Sequence, residues 1–479
     1  LALLKKVRKT SIKLCMILSM DANTIYVSTN LLLPYNHFPA DFCEISLTMY
    51  SGRKKLKFIN RGKTHFSVPR FYLTDEELKD AGCPIIYLPE PQFEEIDFKH
   101  NIKIRYSQEQ AWEALSKANS GFLTLAPGKG KTVLSLLKIA QNRTPALISV
   151  NTTTLIEQWK ERIEEFMGIT DVGVIAEGKM DWKKPICIAT IQSLVACLKN
   201  KKIPKEFHNW FGQYYVDEGH HIGGPEFCTT AQLCNGKKYI LSANSERTDG
   251  AERFIKYFFG PTIYKDNGYE LEPVIKIVPI YGSPVSSDNT EKEMTLISLD
   301  RKANTEKSIW IKYFSRDRKS IAVSTRVEQL RDLSEGFKRN SCVIVSDTPK
   351  KERLPLLKAS QISFIIDNFG VEALDCPELD TLFMILPVSA DKKVNPDGTY
   401  KLLGNNLIQI MGRILRAHPT KKDPLVIIFD DVNVPSAHRQ VENLVRVLKQ
   451  NGFRYSYEDR TLDDIKGELQ RLYKMSQTL

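Results

Sequence analysis

From about residue 100 onward, short apolar runs alternate with longer helix-forming runs, and this alternation restricts the fold more than any other feature of the chain. Gly121-Phe-Leu-Thr-Leu, Ala146-Leu-Ile-Ser-Val, Ile186-Cys-Ile-Ala-Thr, Tyr214-Tyr-Val-Asp and Lys238-Tyr-Ile-Leu-Ser have the length and composition of buried strands. Between them stand helix formers such as Thr154-Leu-Ile-Glu-Gln-Trp-Lys-Glu-Arg-Ile-Glu-Glu-Phe. Strands joined through helices run parallel and are covered on both faces. After a break the pattern recurs in Ser320-Ile-Ala-Val-Ser, Ser341-Cys-Val-Ile-Val, Ile362-Ser-Phe-Ile-Ile, Thr381-Leu-Phe-Met-Ile and Leu425-Val-Ile-Ile-Phe. The class is therefore α/β, with two tandem parallel-sheet domains.

A smaller, β-rich piece precedes them. Thr24-Ile-Tyr-Val-Ser-Thr, Ile45-Ser-Leu-Thr-Met-Tyr, Lys54-Lys-Leu-Lys-Phe-Ile and Ser67-Val-Pro-Arg-Phe-Tyr-Leu have strand character, and Thr74-Asp-Glu-Glu reads as a helix cap. The acidic, proline-bearing Pro89 to Asp97 suits a linker. The expected organisation is an accessory domain at 1–98, α/β domains at 99–265 and 301–435, a linker at 266–300 and a helical tail at 436–479. Lys54, Lys55, Arg61 and Lys63 form a basic patch in the accessory domain, for which a solvated strand face is as good an account as nucleic-acid binding.

Composition narrows the function. With 42% hydrophobic and 26% charged residues the chain is no disordered tract. No apolar run approaches the ~18 residues that a membrane span needs, so a membrane is not an expected partner. Leu14 to Met20 is apolar but short and lacks a cleavage signature, so no signal peptide is expected. A net charge of +11 favours a polyanion, nucleic acid first. The nine cysteines include no Cys-x-x-Cys pair, which speaks against structural zinc and for an intracellular setting.

The chemistry concentrates at Ala126-Pro127-Gly128-Lys129-Gly130-Lys131-Thr132, between an apolar strand and a helical run. Glycines let backbone N–H groups converge on phosphate oxygens, and the helix start adds a favourable dipole. Lys131 is placed to reach the β- and γ-phosphates of ATP and Thr132 to hold Mg²⁺. Asp217-Glu218-Gly219-His220 ends a later strand. There Asp217 suits Mg²⁺ binding and Glu218 suits orienting and deprotonating water. In Gln409-Ile-Met-Gly412-Arg413-Ile-Leu-Arg416, Arg413 and Arg416 are three apart and are expected on one helix face, where both can meet a γ-phosphate.

These segments together resemble the superfamily 2 DExH-box helicases. The resemblance is to the branch of the eukaryotic repair and transcription-factor helicase and to helicases of bacteriophages and large DNA viruses, including poxvirus-type transcript-release helicases. It spans roughly residues 100–455, and implies tandem RecA-like domains that close on ATP. Arg105-Tyr106-Ser107-Gln108 is similar to the adenine-reading element, with Tyr106 and Gln108 as its readers. Ser149 to Trp159 and Ala189-Thr190-Ile-Gln192-Ser193 resemble segments that touch the nucleic-acid backbone, and Leu241-Ser242-Ala243-Asn244-Ser245-Glu-Arg247-Thr-Asp249-Gly250 the element coupling hydrolysis to movement. Ala322-Val-Ser-Thr325-Arg326 is similar to a phosphate-contacting turn, and Gly370-Val-Glu372-Ala373-Leu374-Asp375 to a cleft-facing element. The resemblance thus adds Gln409 to the catalytic group, Asp375 to the nucleotide site, and Thr190, Arg247, Thr325 and Arg326 to the nucleic-acid track.

What it implies is an ATP- and Mg²⁺-dependent motor on single-stranded or duplex DNA, with RNA as an alternative track. An RNA polymerase or other transcription or replication proteins are the implied partners, and host cytoplasm or virion is the implied location for a viral member. Asn244-Ser245 stands where the family carries Thr-Pro, a change that bears on coupling between turnover and movement. Ser389-Ala-Asp-Lys-Lys-Val-Asn-Pro-Asp-Gly-Thr-Tyr reads as an extra loop, with a turn at Asp397-Gly398. Three alternatives stand beside the helicase: a duplex translocase, a catalytically weakened structural subunit of a transcription complex and, last, a restriction-type motor subunit.

Overall fold

The computed structural model describes residues 20–478, apart from 52–53, 127, 220–224, 243–251, 267, 269–270, 288, 338–339, 367–375, 395–399, 417 and 420. The chain divides into two compact units, Leu1–Leu125 with Gly130–Asp266, and Asn267–Leu479 with the short segment Ala126–Lys129.

The first unit opens with β1 (Ile25–Val27), β2 (Asn30–Pro34), β3 (Thr48–Ser51), β4 (Lys54–Lys57), β5 (Asn60–Arg61), β6 (His65–Pro69) and β7 (Ile85–Tyr87). Five of them form a sheet in the order β5-β6-β2-β1-β7, and β3 and β4 form a separate hairpin. The strand expected from Ile45 begins only at Thr48, because a helix occupies Ala40–Ser46. Ala40, Cys43 and Leu47 recur at helical spacing and are all buried, so the apolar periodicity there is that of a helix. Thr74 caps the helix Asp75–Asp80 with a complete capping box, its hydroxyl accepting the Glu77 N–H. Arg61 of the basic patch is bound by Asp41 and Glu44.

This N-terminal sheet is a smaller β-rich domain built of strands of five residues or fewer. Its Ile25, Leu33, Phe58 and Phe66 belong to one continuous core with Phe122, Leu147, Val216 and Phe254. Phe58 meets Phe254 and Phe258 at ring centroid distances of 6.3 and 5.1 Å, and Tyr72 meets Tyr257 at 5.1 Å.

The large sheet of this unit contains β8 (Gly121–Leu125), β9 (Ala146–Val150), β10 (Gly173–Ala176), β11 (Lys179–Asp181), β12 (Ile186–Thr190), β13 (Gln213–Asp217), β14 (Lys237–Ser242) and β15 (Thr262–Asp266). Its order is β11-β10-β12-β9-β13-β14-β8-β15. All neighbours are parallel except the β10–β11 hairpin. The carboxyl ends of β8, β14 and β13 therefore lie side by side, where open α/β sheets bind ligands.

The second unit has β16 (Val274–Ile280), β17 (Ser320–Ser324), β18 (Ser341–Ile344), β19 (Ile362–Ile366), β20 (Thr381–Met384), β21 (Asp391–Val394), β22 (Tyr400–Leu403), β23 (Leu425–Asp431) and β24 (Tyr455–Tyr457). Seven form a parallel sheet, β18-β19-β17-β20-β23-β16-β24, and β21 with β22 forms a hairpin within the extra loop. The Asp397-Gly398 turn lies outside the described residues. The stretch read as a linker at 266–300 thus supplies β16, paired along its length with β23, and the helix Thr290–Leu299. The tail supplies β24 and the helices Pro435–Gln450 and Leu462–Thr478. Among the described residues no helix is long and apolar enough to cross a membrane.

Candidate functional site

Strand β8 is buried along its length, and the chain beyond it turns through the glycine-bearing loop into the helix Lys131–Asn142. Gly128 and Gly130 have φ of +86° and +80°, where an L side chain is strained. Gly130 is also crowded: a Cβ there would lie 2.0 Å from Gln108 Nε2. Gln108 is thereby seated against the phosphate loop, buried, with its Oε1 accepting the Arg105 N–H at 3.1 Å. Tyr106, two residues before it, leaves 89% of its surface in solvent, an open aromatic face. Thr132 is the second residue of the helix and half-buried.

The carboxylates lie at the end of β13. Asp217 is 8% exposed and both its oxygens are held. Trp159, from the helix Thr153–Met167, donates its indole N–H to Oδ2 at 2.8 Å, and the Glu218 N–H donates to Oδ1 at 3.0 Å. Burial, with Glu218 alongside, pushes the Asp217 carboxyl up to about 6, against the opposing pull of Lys131 and the two hydrogen bonds. Lys131 Nζ stands 3.6 Å from Glu218 Oε1 and donates to the Leu125 carbonyl at 3.3 Å. Glu218 itself has φ of +49°, a conformation that costs energy for any residue but glycine. Gly219 follows so close to β14 that a Cβ would come within 2.5 Å of Ile240 Cγ2. The turn is thus pressed against the neighbouring strand, which aims the carboxylate pair. His220 lies outside the described residues.

One nucleic-acid candidate of this unit is otherwise engaged. The Thr190 hydroxyl donates to Ser193 Oγ at 2.8 Å and accepts the Ser193 N–H at 3.3 Å, and the residue is 7% exposed. It caps the helix Ile191–Lys199, which engages its side chain in that turn. Arg247 lies outside the described residues, with Asn244 and Ser245.

In the second unit Gln409 and Arg413 belong to the helix Asn405–Ile414. Arg416 does not share it, because the helix stops two residues earlier and Lys421 Nζ takes the Arg416 carbonyl at 2.8 Å. Pro419 shortly beyond opposes continuation of the helix. Asp375 lies outside the described residues. Thr325 is exposed just after β17, and Arg326 bonds the Glu291 carbonyl at 3.3 Å and faces its carboxylate at 3.8 Å. The preceding turn is fixed by a buried chain that no motif announced, Ser324 Oγ to Gln329 Oε1 at 2.8 Å and Gln329 Nε2 to Asn304 Oδ1 at 2.9 Å.

The structure therefore gathers Gln108, Gly130, Lys131, Asp217 and Glu218 in the first unit and keeps Gln409, Arg413, Arg416, Thr325 and Arg326 in the second. Trp159 is the site residue that motif reading did not single out. It lies in a segment read as a nucleic-acid contact, and nothing local says that its indole reaches 58 residues onward. Magnesium is commonly held by one or two protein oxygens with the remainder from phosphates and water, which the hydroxyl of Thr132 and the carboxylate of Asp217 fit.

Comparison with known proteins places this chain beside helicases. The family described as "Type III restriction enzyme, res subunit" matches residues 101–245, the stretch that carries the loop and the carboxylate pair. A protein of Acanthamoeba polyphaga mimivirus, provisionally named an ATP-dependent RNA helicase, is 25% identical over 353 residues, which is 68% of this chain and 63% of that one. The chain thus spans under two thirds of the mimivirus protein. The DNA 3'-5' translocase XPB2 of Sulfurisphaera tokodaii is 25% identical over 415 residues, 77% of this chain and 89% of that one. The structure of S. cerevisiae Dbp5 bound to RNA and ADP BeF3 matches with a TM-score of 0.52 at 14% identity, covering 78% of this chain and 93% of that one, a likeness of fold alone.

Proposed function

The chain belongs to superfamily 2 of the helicases, related to the XPB branch and to viral and phage helicases, and on that premise we propose that it hydrolyses ATP to travel on DNA and to unwind or remodel it in viral or phage transcription, replication or repair. The observation that carries the reading is the convergence of Lys131, Asp217 and Glu218 beside the glycine loop, with Gln108 buried behind it.

Each side chain then has a task. Gly128 and Gly130 let the backbone approach the phosphates. Tyr106 offers a face to the adenine, and Gln108 reads its edge. Lys131 exchanges Glu218 and the Leu125 carbonyl for phosphate oxygens, which releases Glu218 to orient and deprotonate the attacking water. Asp217, held by Trp159, and Thr132 would hold Mg²⁺, which when bound neutralises charge on the phosphates. For Gln409, Arg413 and Arg416 the proposed task is stabilising charge on the γ-phosphate, and for Asp375 nucleotide binding, as the family resemblance implies. Arg247, Thr325 and Arg326 grip backbone phosphates, so sequence preference is weak and salt dependence strong.

A second reading, translocation on duplex without strand separation, accords with the archaeal relative's being named a DNA translocase. The deciding experiment is ATP hydrolysis with single-stranded DNA, duplex DNA or RNA, beside a Lys131→Ala control. Stimulated turnover that disappears in the control supports the motor, and the best activator names its track. A folded protein with no turnover on any of them overturns it and leaves a binding subunit.

A further inference from the structure

We infer that Tyr281 is a stacking platform for a base of single-stranded nucleic acid, placed at the carboxyl end of β16. The inference rests on the motor reading above and adds to it a contact that no helicase-like motif marks.

Tyr281 leaves 57% of its surface in solvent, while its backbone N–H and that of Ser283 are hydrogen-bonded to side chains. Its N–H donates at 2.9 Å to Glu306, whose carboxylate is 8% exposed. The next residue, Gly282, packs so tightly on the helix Arg301–Phe314 that a Cβ would lie 2.7 Å from that of Ala303. Its carbonyl accepts the Asn433 amide at 2.8 Å. Ser283 donates its N–H to Asp300 at 2.6 Å. Three polar side chains, one of them a desolvated carboxylate, thus immobilise a three-residue turn whose outward product is a phenol ring. Burying Glu306 for this purpose secures the backbone that carries the ring. A backbone fixed in advance leaves only the two side-chain torsions to be ordered on stacking.

The surroundings identify the ligand. Tyr281 follows β16 as Thr325 and Arg326 follow β17, so all three stand at the carboxyl edge of one parallel sheet. Three strand spacings separate β17 from β16, about 14 Å. The helix Thr290–Leu299 spans the same interval, about 15 Å for its length. Glu291 at its start holds Arg326, and Asp300 just past its end holds Ser283. Along this stretch Glu293 is buried on the Ser287 N–H and Asp300 is turned onto Ser283, while Lys292, Arg301 and Lys302 are exposed. Glu291 is exposed but faces Arg326, and the remaining outward charges are the cations Lys292, Arg301 and Lys302, beside an open aromatic face; cations with an aromatic ring suit a phosphate backbone and its bases. The interval suits about four stacked nucleotides.

The test is fluorescence anisotropy of the full chain with labelled oligothymidylate and oligouridylate over a range of salt. Tyr281→Ala should weaken single-strand binding roughly 5- to 150-fold, the range for loss of one stacked base. Tyr281→Phe should bind like wild type and Tyr281→Leu should not. The slope of log affinity against log salt should stay unchanged in Tyr281→Ala and flatten by about 0.7 in Arg326→Ala, because only the second removes a phosphate contact. Fluorescent ADP binding should be equal in all of them. Equal single-strand affinity of wild type and Tyr281→Ala overturns the inference, as does a loss that Tyr281→Leu repairs. Failure of wild type to bind any oligonucleotide overturns the motor reading with it.

Discussion

Replacing Trp159 by Phe should move the acidic limb of the ATPase profile without changing the alkaline plateau by much. The substitution keeps an aromatic ring in a site that is 2% exposed but deletes the N–H that Asp217 Oδ2 accepts at 2.8 Å. A hydrogen bond to a buried ionised group contributes about 1.5–3 kcal/mol, which at 1.36 kcal/mol per pH unit corresponds to roughly one to two pH units. The direction follows from which state the bond favours. Asp217 already titrates at about 6 in the folded protein, above its ordinary 3.8, so its ionisation opposes folding. The stability lent by its protonated form is complete below about 3.8 and is lost as pH rises through about 6. Removing the indole donor raises the carboxyl further, since the Glu218 N–H remains the one donor still bonded to it among those described. At neutral pH, turnover should fall roughly two- to tenfold and should recover near pH 9. Steady-state hydrolysis at fixed Mg²⁺ and saturating nucleic acid, scanned from about pH 5.5 to 9, reads this directly. Thermal melting separates the packing loss, which is present at every pH, from the charge effect, which appears above about pH 6. An unmoved acidic limb over a lowered plateau would show that Trp159 only fills space and would refute the reasoning.

Two further substitutions probe the turns that aim the site. Gly219→Ala forces a methyl to within 2.5 Å of Ile240 Cγ2 and should cost about 1–3 kcal/mol with a large loss of turnover. Ile240→Ala should cost less in that background than alone, and strict additivity of the two melting shifts would count against the contact. Thr190→Ala removes a helix cap and should cost about 1 kcal/mol, restored by Thr190→Ser, with single-strand affinity unchanged at temperatures where both are folded. A tenfold loss of affinity without a loss of stability would return Thr190 to the nucleic-acid track.

Where one strand can be recognised from its own residues, sequence and structure agree. Ala146–Val150 and Ile186–Thr190 are continuous apolar runs because both faces of their sheet are covered, and that signal is local. Val274–Ile280 was missed for reasons that are equally physical. It carries Lys276 and Pro279, a charge and an imino acid seldom found inside a paired strand. The charge is tolerated because Glu458, 182 residues further along the chain, is buried against it at 2.9 Å. The same long-range pairing brings β24 out of what reads as a polar tail, through the parallel register of Ile275 to Ile277 with Tyr455 to Tyr457. Segments whose polar residues are answered from far away in sequence look like linkers until their partners are known.

The site divides along the same line. The phosphate loop and the carboxylate pair were legible because their chemistry depends on neighbours in sequence: glycine conformation, a helix start, a strand end. What makes the pair usable was not. The ionisation of Asp217 is set by its burial and by Glu218, against the pull of Lys131 and the Trp159 N–H, and the aim of Glu218 by the approach of Gly219 to Ile240 on another strand. A motif names the groups that react, whereas their protonation and direction are tertiary properties. A chain could therefore keep Lys131, Asp217 and Glu218 and still lose its activity through Trp159 or Ile240, positions that a motif comparison would pass as neutral. The Asn244-Ser245 departure belongs to the opposite case, a change within a motif.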